Sequence, residues 1–150
     1  MCIAAAAYPE KHIAAPSMEA DISHLRSKQD KGARFIMTQL CHDIPAFERF
    51  LEKIRKAGVT IPVIAGVMPV LARDPVIRMT LFNGCSIPAE LASILGKYPE
   101  GGESFTKAGM EYTVAQIHRF IAAGIDGLHL YSMNKWEKLT EILKAAGISN

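Results

Sequence analysis

The chain has 150 residues, enough to bury one substantial hydrophobic core, so a single domain over residues 1–150 is expected. Hydrophobic residues make up 49% of the sequence and charged residues 21%, a balance that excludes a disordered chain. The formal net charge is +2, from 17 basic and 15 acidic side chains, and it favours neither nucleic acid nor an anionic membrane as a partner.

The cysteines and the first residues bear on where the protein resides. Cys2, Cys41 and Cys85 are odd in number and lack C-x-x-C spacing, so they fit neither a disulfide framework nor a paired metal site. Residues 1–7 are apolar, but they lack a basic segment and reach Tyr8-Pro9-Glu10 too soon for a signal peptide. No apolar run approaches the roughly 18 residues of a membrane-spanning helix. We therefore expect a cytoplasmic protein with buried, reduced cysteines.

In chain order, the first predicted element is an apolar strand that ends at Tyr8-Pro9-Glu10. Three further apolar strands are predicted at residues 35–39, 61–66 and 127–131. Amphipathic helices alternate with them, and their apolar stripes are Met18, Ile22 and Leu25; Phe47, Phe50, Leu51 and Ile54; Met110, Val114, Ile117 and Ile121; and Trp136, Leu139 and Leu143. The sequence therefore contains four strand–helix units.

Signals for helix starts and ends agree with this division. Pro16-Ser17, Asp43 with Pro45, and Asp74-Pro75 are typical of helix starts. Glycines at positions 32, 58, 124 and 147 each follow a helix and suit a left-handed C-cap. Additional helices are predicted at residues 74–82 and 88–96, and residues 99–103 are predicted to form a surface loop.

Alternating strands and helices predict an α/β fold with a parallel sheet, either a barrel or an open sheet. A complete (β/α)8 barrel takes about 250 residues, so four β/α units make up about half of one. In both architectures ligands bind where the strands end, at the C-terminal edge of the sheet. The residues that follow each strand are therefore the first candidates for a binding site.

Several motifs at these strand ends occur in order along the chain. They are Tyr8-Pro9-Glu10-x-His12, Ala20-Asp21, Thr38-Gln39, Gly66-Val67-Met68-Pro69 and Leu130-Tyr131-Ser132-Met133-Asn134. Together they resemble the methylenetetrahydrofolate reductase family over nearly the whole chain, although only over the C-terminal half of that family's TIM-type (β/α)8 barrel. The resemblance implies an FAD-dependent enzyme of one-carbon and methionine metabolism. NAD(P)H or another electron donor reduces the flavin, which passes hydride to 5,10-methylenetetrahydrofolate and gives 5-methyltetrahydrofolate.

The resemblance also implies a set of FAD-binding residues. Tyr8 and His12 match positions that line the flavin site, and Asp21, His24 and Lys28 match positions that hold the adenosine and pyrophosphate. The last three fall at i, i+3 and i+7, so they share a helix face about 90° from the apolar stripe, where they could lie beside the sheet. The alternatives are an ordinary strand-end tyrosine and a solvated helix face.

For the folate substrate, the resemblance implies Gln39 and Lys135. The Gln39 amide offers both a donor and an acceptor, which suits the mixed edge of a pterin. The alternative is a glutamine whose amide is satisfied by the backbone of neighbouring loops. Lys135 stands where the family often has an arginine that meets the glutamate tail, and a lysine can still attract a carboxylate. The alternative is a solvated lysine in the first turn of a helix.

The family's acidic residues that assist flavin chemistry belong to the other half of its barrel, so the sequence assigns no catalytic residue. The isolated chain is therefore expected to be weak or inactive until a second polypeptide completes the barrel. Half a barrel leaves two sheet edges and an apolar inner face open, which predicts a homo-oligomer or binding of a complementary N-terminal half. The alternative function is a truncated or non-catalytic flavin- and folate-binding half-barrel that dimerises or needs a partner chain.

Overall fold

The computed structural model describes residues 2–148 as four strands and six helices. The strands are β1 (Ala4–Ala7), β2 (Phe35–Thr38), β3 (Val63–Val67) and β4 (Gly127–Leu130). The helices are α1 (Met18–Asp30), α2 (Ile44–Lys56), α3 (Arg73–Phe82), α4 (Ala89–Lys97), α5 (Gly102–Ala122) and α6 (Trp136–Ala145). Within residues 2–148, no helix combines the length and the apolarity that crossing a membrane would require.

All four strands are parallel, and they lie in the sheet in the order in which they occur in the chain. Ala7 pairs with Thr38, and on the other side of the sheet Gly66 pairs with His129. A doubly wound sheet reverses its strand order at a switch point, whereas a barrel adds each new strand beside the previous one. The observed order is therefore that of a barrel.

Helices cover one face of this sheet. Strand residues on that face pack against α1, α2, α5 and α6, and the buried residues include Ala5, Ala7, Ile36, Val63, Ala65, Val67, Ile22, Leu25, Phe47, Phe50, Ile54, Ile117, Phe120 and Ile142. On the opposite face, Ala4 and Ala6 are exposed, and Met37 and Ile64 are half-buried. This face corresponds to the interior of a TIM-type barrel, so the structure confirms the predicted half-barrel.

A second apolar cluster lies at the C-terminal ends of the strands. It is built from the connections after β2 and β3, the additional helices α3 and α4, and the first half of α5, and it comprises Leu40, Met68, Val70, Val76, Leu91, Leu95, Phe105 and Tyr112. Helix α5 approaches closely here, because a Cβ atom added to Gly109 would overlap the Val70 carbonyl oxygen. The glycine therefore permits the contact between α5 and the segment after β3.

Most of the predicted helix signals are confirmed. The Ser17 hydroxyl accepts a hydrogen bond from the Ala20 N–H at 3.1 Å, and Asp43 Oδ1 accepts one from the Ala46 N–H at 2.9 Å. The prediction at Asp74-Pro75 was displaced by two residues: Ala72 occupies the N-cap, and Asp74 lies inside the first turn of α3. An acidic residue in a first turn is stabilised by the helix dipole, which gives the same sequence signal without a cap.

Other details of the prediction were wrong. The side chains of Ile121 and Trp136, placed in apolar stripes, are 48% and 68% exposed, and Ile142 is the fully buried residue of α6. The predicted loop at residues 99–103 is shorter, because α5 begins at Gly102. Cys2 is exposed, whereas Cys41 is buried and Cys85 is half-buried. Periodicity identifies an apolar stripe, but neighbouring elements determine which part of it is covered.

Candidate functional site

The loop between β1 and α1 brings three of the predicted FAD-binding residues together. The rings of Tyr8 and His12 meet edge to face, with centroids 4.4 Å apart. The backbone N–H of His12 donates to Asp21 Oδ2 at 2.8 Å. This hydrogen bond ties the loop to the first turn of α1, so the positions of Tyr8, His12 and Asp21 depend on one another.

Lys28 reaches the same edge of the sheet from the last turn of α1. Its Nζ donates to the Ala6 carbonyl oxygen at 3.0 Å, and Lys28 lines a narrow crevice together with Tyr8 and Asp21. The prediction that this helix face lies beside the sheet is therefore confirmed for Asp21 and Lys28. The His24 side chain is exposed, and its role at an adenosine stays a prediction.

Gln39 lies directly after β2, as predicted, and its amide is held by the protein. The Leu40 N–H donates to Gln39 Oε1 at 2.8 Å, and Gln39 Nε2 donates to Asn83 Oδ1 at 2.9 Å. The contact with the Leu40 N–H agrees with the alternative interpretation, in which the backbone of a neighbouring loop satisfies the Gln39 amide. One N–H and one lone pair of the amide take no part in these two bonds, so the amide keeps capacity for a ligand.

A cleft of about 250 Å³ opens between these groups on the uncovered face of the sheet. Its lining includes Tyr8, Met37, Gln39 and Tyr131, together with the residues of β1. The structure therefore brings Tyr8 from the predicted FAD set and Gln39 from the predicted folate set to one cavity at the C-terminal edge of the sheet.

Tyr131 was not predicted as a site residue, although it belongs to the motif that follows β4. Its ring packs edge to face against His129, with centroids 4.8 Å apart. Its hydroxyl lies 3.1 Å from where a Cβ of Gly66 would stand, so the glycine leaves room for it. Burial raises the pKa of Tyr131 further above neutrality, so the hydroxyl is protonated and able to donate a hydrogen bond.

Glu10 connects the end of β1 to the loop between α3 and α4. Glu10 Oε2 accepts a hydrogen bond from the Ser86 N–H at 2.9 Å, and Cys41 Sγ lies 3.5 Å from Glu10 Oε1. Cys85 Sγ lies 3.1 Å from the Leu40 carbonyl oxygen. Burial raises the pKa of both thiols, that of Cys85 to about 12, so both are protonated at neutral pH. These groups hold the loop in place over the strand ends.

Lys135 lies at the start of α6, where its backbone N–H donates to the Ser132 carbonyl oxygen at 2.8 Å. Its side chain is exposed and does not line the cleft beside Gln39. A larger groove of about 720 Å³ lies between α5 and α6 and contains none of the predicted site residues. We regard the smaller cleft as the candidate site, because it lies at the strand ends.

Comparisons with known proteins agree with these observations. Residues 1–147 match the family model described as methylenetetrahydrofolate reductase. Methylenetetrahydrofolate reductase 1 of Schizosaccharomyces pombe is 35% identical over 147 residues, which are 98% of this chain and 24% of that protein. The 5,10-methylenetetrahydrofolate reductase of Escherichia coli is 27% identical over 146 residues, which are 97% of this chain and 49% of that protein. The chain thus spans between a quarter and a half of these two relatives.

Solved structures are also similar in fold. One of them is described as an uncharacterized protein from Clostridium thermocellum that binds two copies of 5-methyl-5,6,7,8-tetrahydrofolic acid. The TM-score is 0.67 at 16% sequence identity, and the match covers 99% of this chain and 55% of that chain. At this identity the similarity concerns the fold alone, and it agrees with the strand order described above.

Proposed function

The chain belongs to the methylenetetrahydrofolate reductase family, and from this premise we propose that it forms the folate- and FAD-binding C-terminal half of a barrel that reduces 5,10-methylenetetrahydrofolate to 5-methyltetrahydrofolate. The observation that carries the proposal is the cleft at the strand ends, which Tyr8, Gln39 and Tyr131 line together. In parallel α/β folds this edge is where ligands bind. A reduced nicotinamide or another donor would supply the electrons.

The residues around β1 and α1 fit FAD. Tyr8 offers an aromatic ring and a hydroxyl beside the cleft, and His12 packs against that ring. The ammonium group of Lys28 lines a crevice together with Asp21 and supplies a point charge for the pyrophosphate. His24 lies on the same face of α1, and we assign it to the adenosine. A bound FAD, once reduced by the electron donor, would supply hydride for the one-carbon unit of the folate.

The residues after β2 and β4 fit the folate. Gln39 presents a donor and an acceptor to the pterin edge, and the protonated Tyr131 hydroxyl adds a second donor in the same cleft. Lys135, exposed at the start of α6, attracts the carboxylates of the glutamate tail. These residues bind and orient the substrate, and the chemistry depends on the cofactor.

A second candidate is a flavin- and folate-binding half-barrel that is not catalytic by itself and needs a partner. The uncovered face of the sheet favours it, because Ala4 and Ala6 are exposed there. The partner would be a second copy of the chain or a polypeptide that supplies the N-terminal half of the barrel. If the chain is instead half of a reductase barrel, adding a polypeptide that supplies the N-terminal half should raise its reductase activity.

Flavin binding tests the cofactor part of the proposal. We expect FAD to bind the chain with a change in flavin absorbance and fluorescence, and Lys28→Met to weaken binding by about 10-fold or more, because a hydrogen bond to a charged phosphate is lost. Lys56→Met removes an equally charged lysine of α2 that does not line the crevice, and it should leave binding unchanged. Equal affinities for FAD in all three proteins would contradict the assignment of Lys28.

A further inference from the structure

Asn83 ends α3, and its carboxamide forms a directed chain of hydrogen bonds with that of Gln39. Asn83 Nδ2 donates to the Met79 carbonyl oxygen at 2.8 Å, and Asn83 Oδ1 accepts from Gln39 Nε2 at 2.9 Å. Gln39 Oε1 in turn accepts from the Leu40 N–H at 2.8 Å. A backbone carbonyl can only accept and a backbone N–H can only donate, so the two ends of the chain fix the orientation of both amides.

Hydrogen bonds at the end of α3 hold the backbone around Asn83 in place. Gly84 has a φ of +66°, which lets α3 end with hydrogen bonds from the Gly84 N–H to Leu81 and from the Cys85 N–H to Thr80. Two residues further on, the Glu10 carboxylate accepts from the Ser86 N–H. Asn83 is therefore presented by a helix end that is tied to the strand ends, and it can restrain another side chain.

We propose that Asn83 is a positioning residue that sets the orientation in which the Gln39 carboxamide faces the folate ring. The inference rests on the proposed function, since it takes Gln39 as the folate contact. A rotated Gln39 amide would place its NH2 group against the Leu40 N–H and its oxygen against Asn83 Oδ1, which costs both hydrogen bonds. Held as observed, Gln39 offers the ring a donor and an acceptor in a fixed order.

The hold of Asn83 on Gln39 can be measured without any ligand. In 15N-labelled chain, the Gln39 side-chain NH2 resonances are identified by their loss in Gln39→Ala. We expect Asn83→Ala to move these resonances toward the values of a solvated glutamine, because one N–H loses its acceptor. Unchanged Gln39 resonances in Asn83→Ala would overturn the proposal.

The consequence for the ligand is tested by a double-mutant cycle with 5-methyltetrahydrofolate as the probe. Asn83→Ala should weaken binding about fivefold to tenfold when Gln39 is present and less than twofold in Gln39→Ala. An equal loss in both backgrounds would overturn the proposal, because Asn83 would then act independently of Gln39. If Gln39→Ala binds the probe as tightly as the unmodified chain, the proposed folate contact fails, and the NMR result still decides whether Asn83 orients Gln39.

Asn83→Asp separates positioning from stability. Aspartate keeps an acceptor for Gln39 Nε2 but loses the donor to Met79, and its charge opposes the dipole at the end of α3. We expect a lower Tm with folate affinity within about twofold of the original. Ser86→Ala, which keeps the backbone contact with Glu10, should change neither quantity. Affinity that falls in step with Tm in Asn83→Asp would show a merely structural role and overturn the proposal.

Discussion

At the scale of single residues, His42 is a titratable side chain that is buried in the fold. It lies between β2 and α2, is only 3% exposed, and its Nδ1 lies 3.3 Å from Gln116 Oε1. Gln116 Nε2 also donates to the His42 carbonyl oxygen and to the Tyr112 hydroxyl. Burial lowers the pKa of His42, because the charged imidazolium loses its hydration there. At neutral pH the folded protein therefore contains uncharged His42.

This lowered pKa predicts how stability depends on pH. The unfolded chain takes up a proton on His42 below a pH of about 6.5, whereas folded His42 resists protonation. The contribution to stability is complete above that pH and is lost as the pH falls toward the folded pKa, with a slope of at most about 1.4 kcal/mol per pH unit. Urea unfolding between pH 8 and pH 5 measures this slope.

Two variants identify the residue responsible for the slope. His42→Phe removes the titrating group and should flatten the dependence of the free energy of unfolding on pH. Thr113→Val removes a buried hydrogen bond from the Val70 N–H and should lower stability at every pH by a similar amount, leaving the slope as it was. A slope that persists in His42→Phe would show that another group is responsible.

At the scale of elements, close approach between α5 and the segment after β3 depends on Gly109. A Cβ atom there would overlap the Val70 carbonyl oxygen and lie 2.8 Å from Val70 Cγ1. Because the carbonyl belongs to the backbone, it cannot easily move away. We expect Gly109→Ala to destabilise the fold by about 1–3 kcal/mol, as overpacking does. Gly96→Ala in α4 meets nothing within 4 Å and should stabilise by about 0.4–1 kcal/mol. Denaturant unfolding compares the two, and equal effects would contradict the close contact.

The order of strands and helices could be predicted because apolar periodicity and helix-ending glycines repeat along the chain. The location of Tyr8 and Gln39 at the cleft could be predicted because each follows a strand directly. The contact between Gln39 and Asn83 could not, because 44 residues separate the two and the intervening sequence carries no signal of their distance. Exposure of Trp136 was missed for the same reason, since burial depends on elements distant in sequence.

At the scale of the whole molecule, one face of the sheet is covered by helices and the other is not covered by residues 2–148. The Ala6 carbonyl at the edge of β1 accepts its hydrogen bond from Lys28 rather than from a neighbouring strand. A lysine over an exposed strand edge hinders pairing with another chain, but it does not cover the apolar face. The chain studied alone is therefore predicted to self-associate through that face.

Sedimentation velocity tests the predicted self-association. Ala4→Lys places a charge on the uncovered face and should shift the chain toward the monomer, because the charge would have to be desolvated at the interface. Ala92→Lys makes the same chemical change at an exposed position of α4 and should not alter the distribution. A monomer for the unmodified chain at all concentrations, with cooperative unfolding, would contradict the prediction.

The 21-residue helix α5 is shared by both apolar clusters. Phe105 and Tyr112, in its first half, belong to the cluster at the strand ends, whereas Ile117 and Phe120, in its second half, belong to the core between sheet and helices. Unfolding of α5 would therefore remove side chains from both clusters at once. We therefore expect the two clusters to melt together, so that the loop between α3 and α4, which lies over the cleft, has the same thermal limit as the sheet beneath it.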